Sequence, residues 1–197
     1  PIFTHIPGRP PIALVAYYDE FRDYYPYCEM ATKRWFVENV RPEWVIMDCG
    51  ANIGYYAILF AQLASQGHVY AFEPTETFDM LRANLLHNAI TNVTPTRVAL
   101  GNKIGQHVDS IFRIWGKQPE VQNYPFTTID RFVEENRLAR VDCIKIDVDS
   151  FDFEVLQGAE KTLAHFDPFV MVELNHALNK RNQSAMQALE WLAARGY

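Results

Sequence analysis

Cysteine is scarce: the chain has 197 residues and three cysteines, Cys28, Cys49 and Cys143. The number is odd and the spacing fits no zinc pattern, which argues against a disulfide framework or a zinc fold. Buried, reduced thiols in a cytoplasmic protein are the expectation. Long apolar runs are missing too. None approaches the ~20 residues of a membrane span, and no signal-peptide pattern opens the chain, so no membrane partner is expected. Basic charge is in deficit: 18 Lys and Arg stand against 24 Asp and Glu, for a net charge of −6. A protein that mainly neutralises phosphates carries the opposite balance, so nucleic acid is not an expected partner. Repeats, linkers and low-complexity stretches are absent. What remains is 49% hydrophobic and 21% charged, an ordinary globular composition that excludes a disordered tail, a collagen-like rod or a coiled coil. The first residue is Pro1 rather than Met, which reads as a processed or cut chain.

Residues 1–27 read as irregular, because Pro1, Pro7, Pro10, Pro11 and Pro26 break any long helix. They are rich in aromatics: Tyr17, Tyr18, Phe21, Tyr24, Tyr25 and Tyr27. A helix is expected over Cys28–Val40, ended by Arg41-Pro42. Residues 1–40 therefore read as an aromatic cap and helix, and 41–197 as the main domain. From Trp44 onward strands and helices alternate. Strands are expected at Trp44–Cys49, His68–Glu73, Val93–Leu100, Val141–Val148 and Phe169–Leu174. Helices are expected at Tyr55–Gln66, Thr75–Asn88 (with Thr75 as N-cap), Thr128–Arg137, Phe153–Leu163 and Gln183–Ala194. Between them, His107–Trp115 reads as an added strand or hairpin and Gly116–Pro125 as loop. This alternation implies parallel strands with right-handed crossovers, an α/β three-layer sandwich.

The most informative stretch is Asp48-Cys49-Gly50-Ala51-Asn52-Ile53-Gly54, between the first strand and first helix. Doubly wound folds bind nucleotides there. Gly50 permits a tight turn, Asn52 tolerates the left-handed region, and Gly54 lets the helix start close to a ligand. Glu73 ends the second strand about 20 residues later, where an acid can accept both ribose hydroxyls. Asp48 would repel a pyrophosphate and suits a cationic ligand. S-adenosylmethionine has an ammonium, a sulfonium and a ribose, and no phosphate. The spacing G-x-x-x-G, in place of G-x-G-x-x-G, points the same way.

The run from Asp48 to Tyr56 resembles the first motif of the FkbM-type S-adenosylmethionine-dependent methyltransferases. Val69-Tyr70-Ala71-Phe72-Glu73-Pro74 is similar to their second. Thr127-Thr128-Ile129-Asp130, Ile144–Asp149 and Glu154–Ala159 follow in the family's order and spacing. The likeness spans roughly residues 40–196. It departs at Asp149-Ser150, where the family has Glu-Gly. The resemblance implies a Rossmann-like class I methyltransferase sheet of strand order 3-2-1-4-5-7-6. Asp48, Gly50, Ala51, Asn52, Ile53 and Gly54 would line the methionine end of the cofactor. Glu73, with Pro74 beside it, would hold the ribose, and Val98, Ala99 and Leu100, ending strand three, would lie by the adenine. Family members commonly methylate hydroxyls of sugars, glycans or natural products.

A hydroxyl acceptor must lose its proton, so a base or a metal is expected at the strand ends. Candidates are Asp147 and Asp149 after strand four, Glu173 near the end of strand five, and His176. Either one of these is a general base, or Asp147, Glu173 and Asn175 hold Mg²⁺. Two other readings stay open: a nicotinamide-dependent oxidoreductase on a Rossmann sheet, and a catalytically inactive methyltransferase-like binding domain. Only five core strands fit before Tyr197, so the last two are expected to be missing. The open edge left on strand five implies a fragment or a homodimer.

Overall fold

The computed structural model describes residues 2–16, 18–111 and 121–197. The chain divides into two compact units, residues 1–97 and 98–197.

The first unit opens on a β-hairpin, where the sequence suggested irregular chain. Strands β1 (Ile2–Ile6) and β2 (Arg9–Leu14) pair antiparallel around a turn at Gly8, whose φ is +67°. Ile2, Thr4 and Ile6 alternate inward, the period of a half-buried strand. Pro10 and Pro11 are exposed at the start of β2, where a missing N–H is tolerated. Short helix α1 (Glu20–Tyr24) and helix α2 (Met30–Asn39) follow. Phe36 of α2 is fully buried against the rings of Tyr56 and Phe60. Burial of one such side chain contributes about 1.5–3 kcal/mol.

Strand β3 (Val45–Cys49) leads through the glycine loop into helix α3 (Tyr55–Leu63). Strand β4 (His68–Phe72), helix α4 (Thr77–His87) and strand β5 (Val93–Thr96) complete the unit. Strands β3, β4 and β5 run parallel in that order, the expected 3-2-1 arrangement. β5 is shorter than expected: it ends at Thr96. Pro95 sits within it, as an edge position allows. Glu76, not Thr75, occupies the N-cap of α4, because the Thr75 hydroxyl is engaged with Glu73.

In the second unit, Ala99–Leu100 form strand β6, which pairs parallel with strand β8 (Gln122–Thr127) in a separate sheet. Val98, Ala99 and Leu100 therefore do not end strand three. Strand β7 (Gly105–Asp109) pairs antiparallel with β8, so the added hairpin is present, and residues 122–125 are strand where loop was expected. The expected strand residues 112–115 and loop residues 116–120 lie outside the described residues, as does Tyr17.

Helix α5 (Ile129–Glu135), capped by the Thr128 hydroxyl, precedes strand β9 (Cys143–Ile146). The single helix expected over Phe153–Leu163 is two, α6 (Asp152–Gln157) and α7 (Glu160–Phe166). They break at Gly158, which packs so closely on the Gly101 carbonyl that no Cβ fits. Strand β10 (Phe169–Val172) pairs parallel with β9, giving the expected 4-5 pair. A 3₁₀ turn (His176–Arg181) and helix α8 (Ala185–Ala193), with a Ser184/Gln187 capping box, end the unit. Cys28, Cys49 and Cys143 are free and buried. No helix of the described residues is long and apolar enough to cross a membrane.

Candidate active site

In the first unit the glycine loop is held in an open, left-handed shape. Gly50, Asn52 and Gly54 have φ of +84°, +49° and +95°, and only Gly and Asn adopt such values at little cost. A Cβ on Gly54 would lie 2.6 Å from Leu81 Cδ1, so the Leu81 side chain would have to shift, and the φ itself strains any other residue there. The N–H groups of Gly50 and Ala51 both donate to the Phe72 carbonyl, at 3.0 and 2.9 Å. This ties the loop to the end of β4.

Glu73 completes the tie. Its Oε2 accepts the Asn52 N–H at 3.0 Å, and its Oε1 accepts the N–H and hydroxyl of Thr75 at 2.9 and 2.6 Å. The acid expected to grip a ribose is thus also the brace that shapes the loop. Oε1 has both lone pairs engaged, but Oε2 keeps one, so Glu73 can brace the loop and still accept one further hydroxyl. Asp48 and Ile53 are fully buried, Ala51 is buried, and Pro74 is half-buried beside Glu73.

In the second unit a different group of acids gathers around β9 and β10. Asp147 accepts from the buried Lys145 ammonium at 3.2 Å. Asp149 stands in the left-handed region at φ +62°, the position where the family has glycine on one side of it. Asp152 begins α6 fully buried, and its Oδ1 accepts the Val148 N–H at 2.9 Å. Burial, reinforced by the charges of Asp147 and Asp149, pushes the Asp152 carboxyl up to about 7. Glu173 follows β10. Partial loss of water, then the charge and hydrogen bond of Asp147, then Asp149 and Asp152, push it up to about 8. Its side chain remains open enough for a substrate to reach. His176 is exposed at the start of the 3₁₀ turn.

The residues do not form a magnesium cradle. The Asn175 oxygen is spent on the Ala177 N–H at 2.7 Å, and its buried amide nitrogen has no hydrogen-bond partner. The Lys145 ammonium occupies one face of Asp147. Among the described residues, no group of three or more His, Cys, Asp or Glu side chains stands together as metal ligands. Magnesium wants several free, hard oxygens, and this set offers ammonium and amide hydrogens.

Sequence reasoning missed Asn84, Lys145 and Asp152. Asn84 had a signal: it is a polar residue on the apolar face of α4, in step with Met80, Leu81 and Leu85.

A family model, the Methyltransferase FkbM domain, matches residues 48–197. The chain belongs to this family. The hexuronic acid methyltransferase AglP of Haloferax volcanii is 29% identical over 156 residues. That match covers 76% of this chain and spans 63% of the relative's length. Among solved structures, the FkbM methyltransferase of Methylobacillus flagellatus KT matches 68% of this chain and 33% of its own, with TM-score 0.53 and 16% identity. Precorrin-6y C5,15-methyltransferase of Geobacter metallireducens GS-15 matches 87% of this chain and 74% of its own, with TM-score 0.55 and 15% identity. These likenesses show an α/β, Rossmann-like methyltransferase fold. The family is one of S-adenosylmethionine-dependent methyltransferases. The chain's glycine loop fits that cofactor. The Asn52 side-chain oxygen is buried with no hydrogen-bond partner among the described residues, and so is free to accept from a ligand.

Proposed function

We propose that this FkbM-family protein methylates a hydroxyl oxygen of a sugar, glycan or natural product, with Glu173 as the base. The observation that carries the reading is the Asp147–Glu173 carboxyl pair beside β9 and β10. The relative AglP supports the substrate class, since its name describes a methyltransferase acting on a hexuronic acid. In the first unit, Asp48, Gly50, Ala51, Asn52, Ile53 and Gly54 would hold the methionine end of the cofactor. Glu73, with Pro74, would hold its ribose.

When bound, S-adenosylmethionine supplies a methyl carbon on a sulfonium leaving group. The chain's own part is alignment and proton removal. The Glu173 carboxylate would take the proton of the acceptor hydroxyl as that oxygen is methylated. The charge of Asp147, which is paired with Lys145, raises the basicity of Glu173. Asp149 adds its charge to the same group of acids. His176 is a surface residue outside this step.

Glu173→Gln tests the reading against a panel of hexoses and hexuronic acids. It should lower kcat/KM by about 10²–10⁴ while S-adenosylhomocysteine binding stays at the wild-type level. The wild-type rate should rise with pH toward about 8 as Glu173 ionises, and the variant should lose that rise. A variant as active as wild type would mean that the acceptor has no proton to lose, and would remove Glu173 from the mechanism.

A further inference from the structure

We infer that Asn84 is a positioning residue that makes the N-terminal hairpin part of the cofactor-binding half. The inference rests on the cofactor reading of the glycine loop. Asn84 is fully buried in α4, and its amide is used at both ends. The Oδ1 accepts the Val15 N–H at 2.6 Å. The Nδ2 donates to the Val15 carbonyl at 3.0 Å and to the Ile53 carbonyl at 2.8 Å. One side chain thus joins the end of the hairpin to the middle of the loop.

The place it grips matters. Ile53 lies between two left-handed residues, Asn52 and Gly54. A peptide between such residues turns over easily, because glycine accepts either orientation. Here the Ile53–Gly54 peptide is pinned on both sides. Asn84 holds its carbonyl, and its N–H donates to the Ala51 carbonyl at 2.8 Å. That pinning sets where α3 begins and keeps the Asn52 side-chain oxygen inside the site.

The hairpin is tied down on either side of Val15. Asn88 donates to the Ala13 carbonyl at 2.8 Å, and the Tyr18 hydroxyl donates to Glu76 at 2.8 Å. The family match begins only at residue 48, so this strap lies outside it. Because the loop and hairpin share one amide, a ligand that orders the loop must also hold the hairpin, and the coupling is reciprocal.

Asn84→Asp separates the two ends of the clamp. The carboxylate still accepts the Val15 N–H, but it cannot donate to Ile53 or to the Val15 carbonyl. Hydrogen exchange of the segment covering residues 50–58 should quicken about tenfold or more, since exchange follows local opening. S-adenosylhomocysteine should bind at least about tenfold more weakly by calorimetry, and KM for the methyl donor should rise with kcat nearly kept. Asn88→Ala should loosen the hairpin and leave loop exchange as in wild type. In the wild type, S-adenosylhomocysteine should slow exchange at residues 10–15. If Asn84→Asp does not fold, Val15→Pro, which deletes the donated N–H and leaves Asn84 intact, should still quicken loop exchange measurably. A folded variant of either kind with wild-type loop exchange overturns the inference. Wild-type protein that ignores S-adenosylhomocysteine overturns the cofactor reading instead, while exchange still decides the clamp.

Discussion

Glu73 and Glu173 each follow a parallel strand, and they live in opposite surroundings. Glu73, in the first unit, is ringed by donors: two backbone N–H groups and a hydroxyl converge on its oxygens. Glu173, in the second unit, is ringed by other acids, with Asp147, Asp149 and Asp152 all raising it. A carboxylate among donors is a fixed brace, well suited to shaping a loop and accepting one further hydroxyl. A carboxyl among carboxylates holds its proton near neutral pH and can exchange it. On the proposed reading, the first unit grips the cofactor and the second moves a proton.

The largest effect should come from breaking the gripping half at its tightest point. Gly54→Val puts a β-branched side chain at φ +95° and drives its Cβ into Leu81. Strain and overpacking together should cost about 3 kcal/mol. For a chain of this size that is roughly 6–12 °C in Tm. S-adenosylhomocysteine binding should be lost with it. A thermal melt and a titration read both, and a variant that melts and binds like wild type would show that the loop needs neither the space nor the backbone freedom.

The same contrast explains what the sequence made legible. The gripping half is written locally. Gly50, Asn52 and Gly54 announce left-handed backbone within one loop, and Glu73 stands at a strand end a short way on. The proton-holding half is written at a distance. Arg181, after β10, pairs with Glu154 of α6 at 2.6 Å and with Asp109 of β7 at 3.6 Å, and no local pattern foretells either pair. Asp152 reads locally as a solvated first-turn acid; only its burial gives it a raised carboxyl. Asp147 and Glu173 could be singled out as candidates because they follow strands. The N-terminal hairpin was missed because its prolines rule out helix without ruling in a strand. The strand expected over Val93–Leu100 was drawn too long because its last residues are equally apolar whether they extend β5 or, as found, turn away to pair with β8.

A smaller effect should sharpen the other half. Asp152 titrates at about 7 in the folded chain, against ~3.9 for an exposed Asp. Between those values the folded state binds the extra proton, so stability falls as pH rises from about 4 to 7. Asp152→Asn keeps an oxygen for the Val148 N–H and never ionises. Its Tm should match wild type near pH 4 and exceed it at pH 8. The gain should be at most a few kcal/mol, set by how far burial, net of the Val148 N–H, displaces this carboxyl from its exposed value. Parallel melting curves at all pH values would mean that this acid is solvated, and the contrast with Glu73 would weaken.

The smallest effect concerns magnesium, and here the expected change is none. A resident divalent cation would need oxygens of Asp147, Glu173 and Asn175 turned to one point. The Asn175 oxygen faces the Ala177 N–H, and the Lys145 ammonium already compensates Asp147. A cation entering there would have to displace a buried ammonium of like sign, which is costly in a site short of water. The methyl-transfer rate should therefore be the same in EDTA as in added Mg²⁺. A rate that collapses in EDTA and returns with Mg²⁺ would mean that the acids of the second unit grip a metal as firmly as Glu73 grips its loop, and the division of labour between the two halves would not hold.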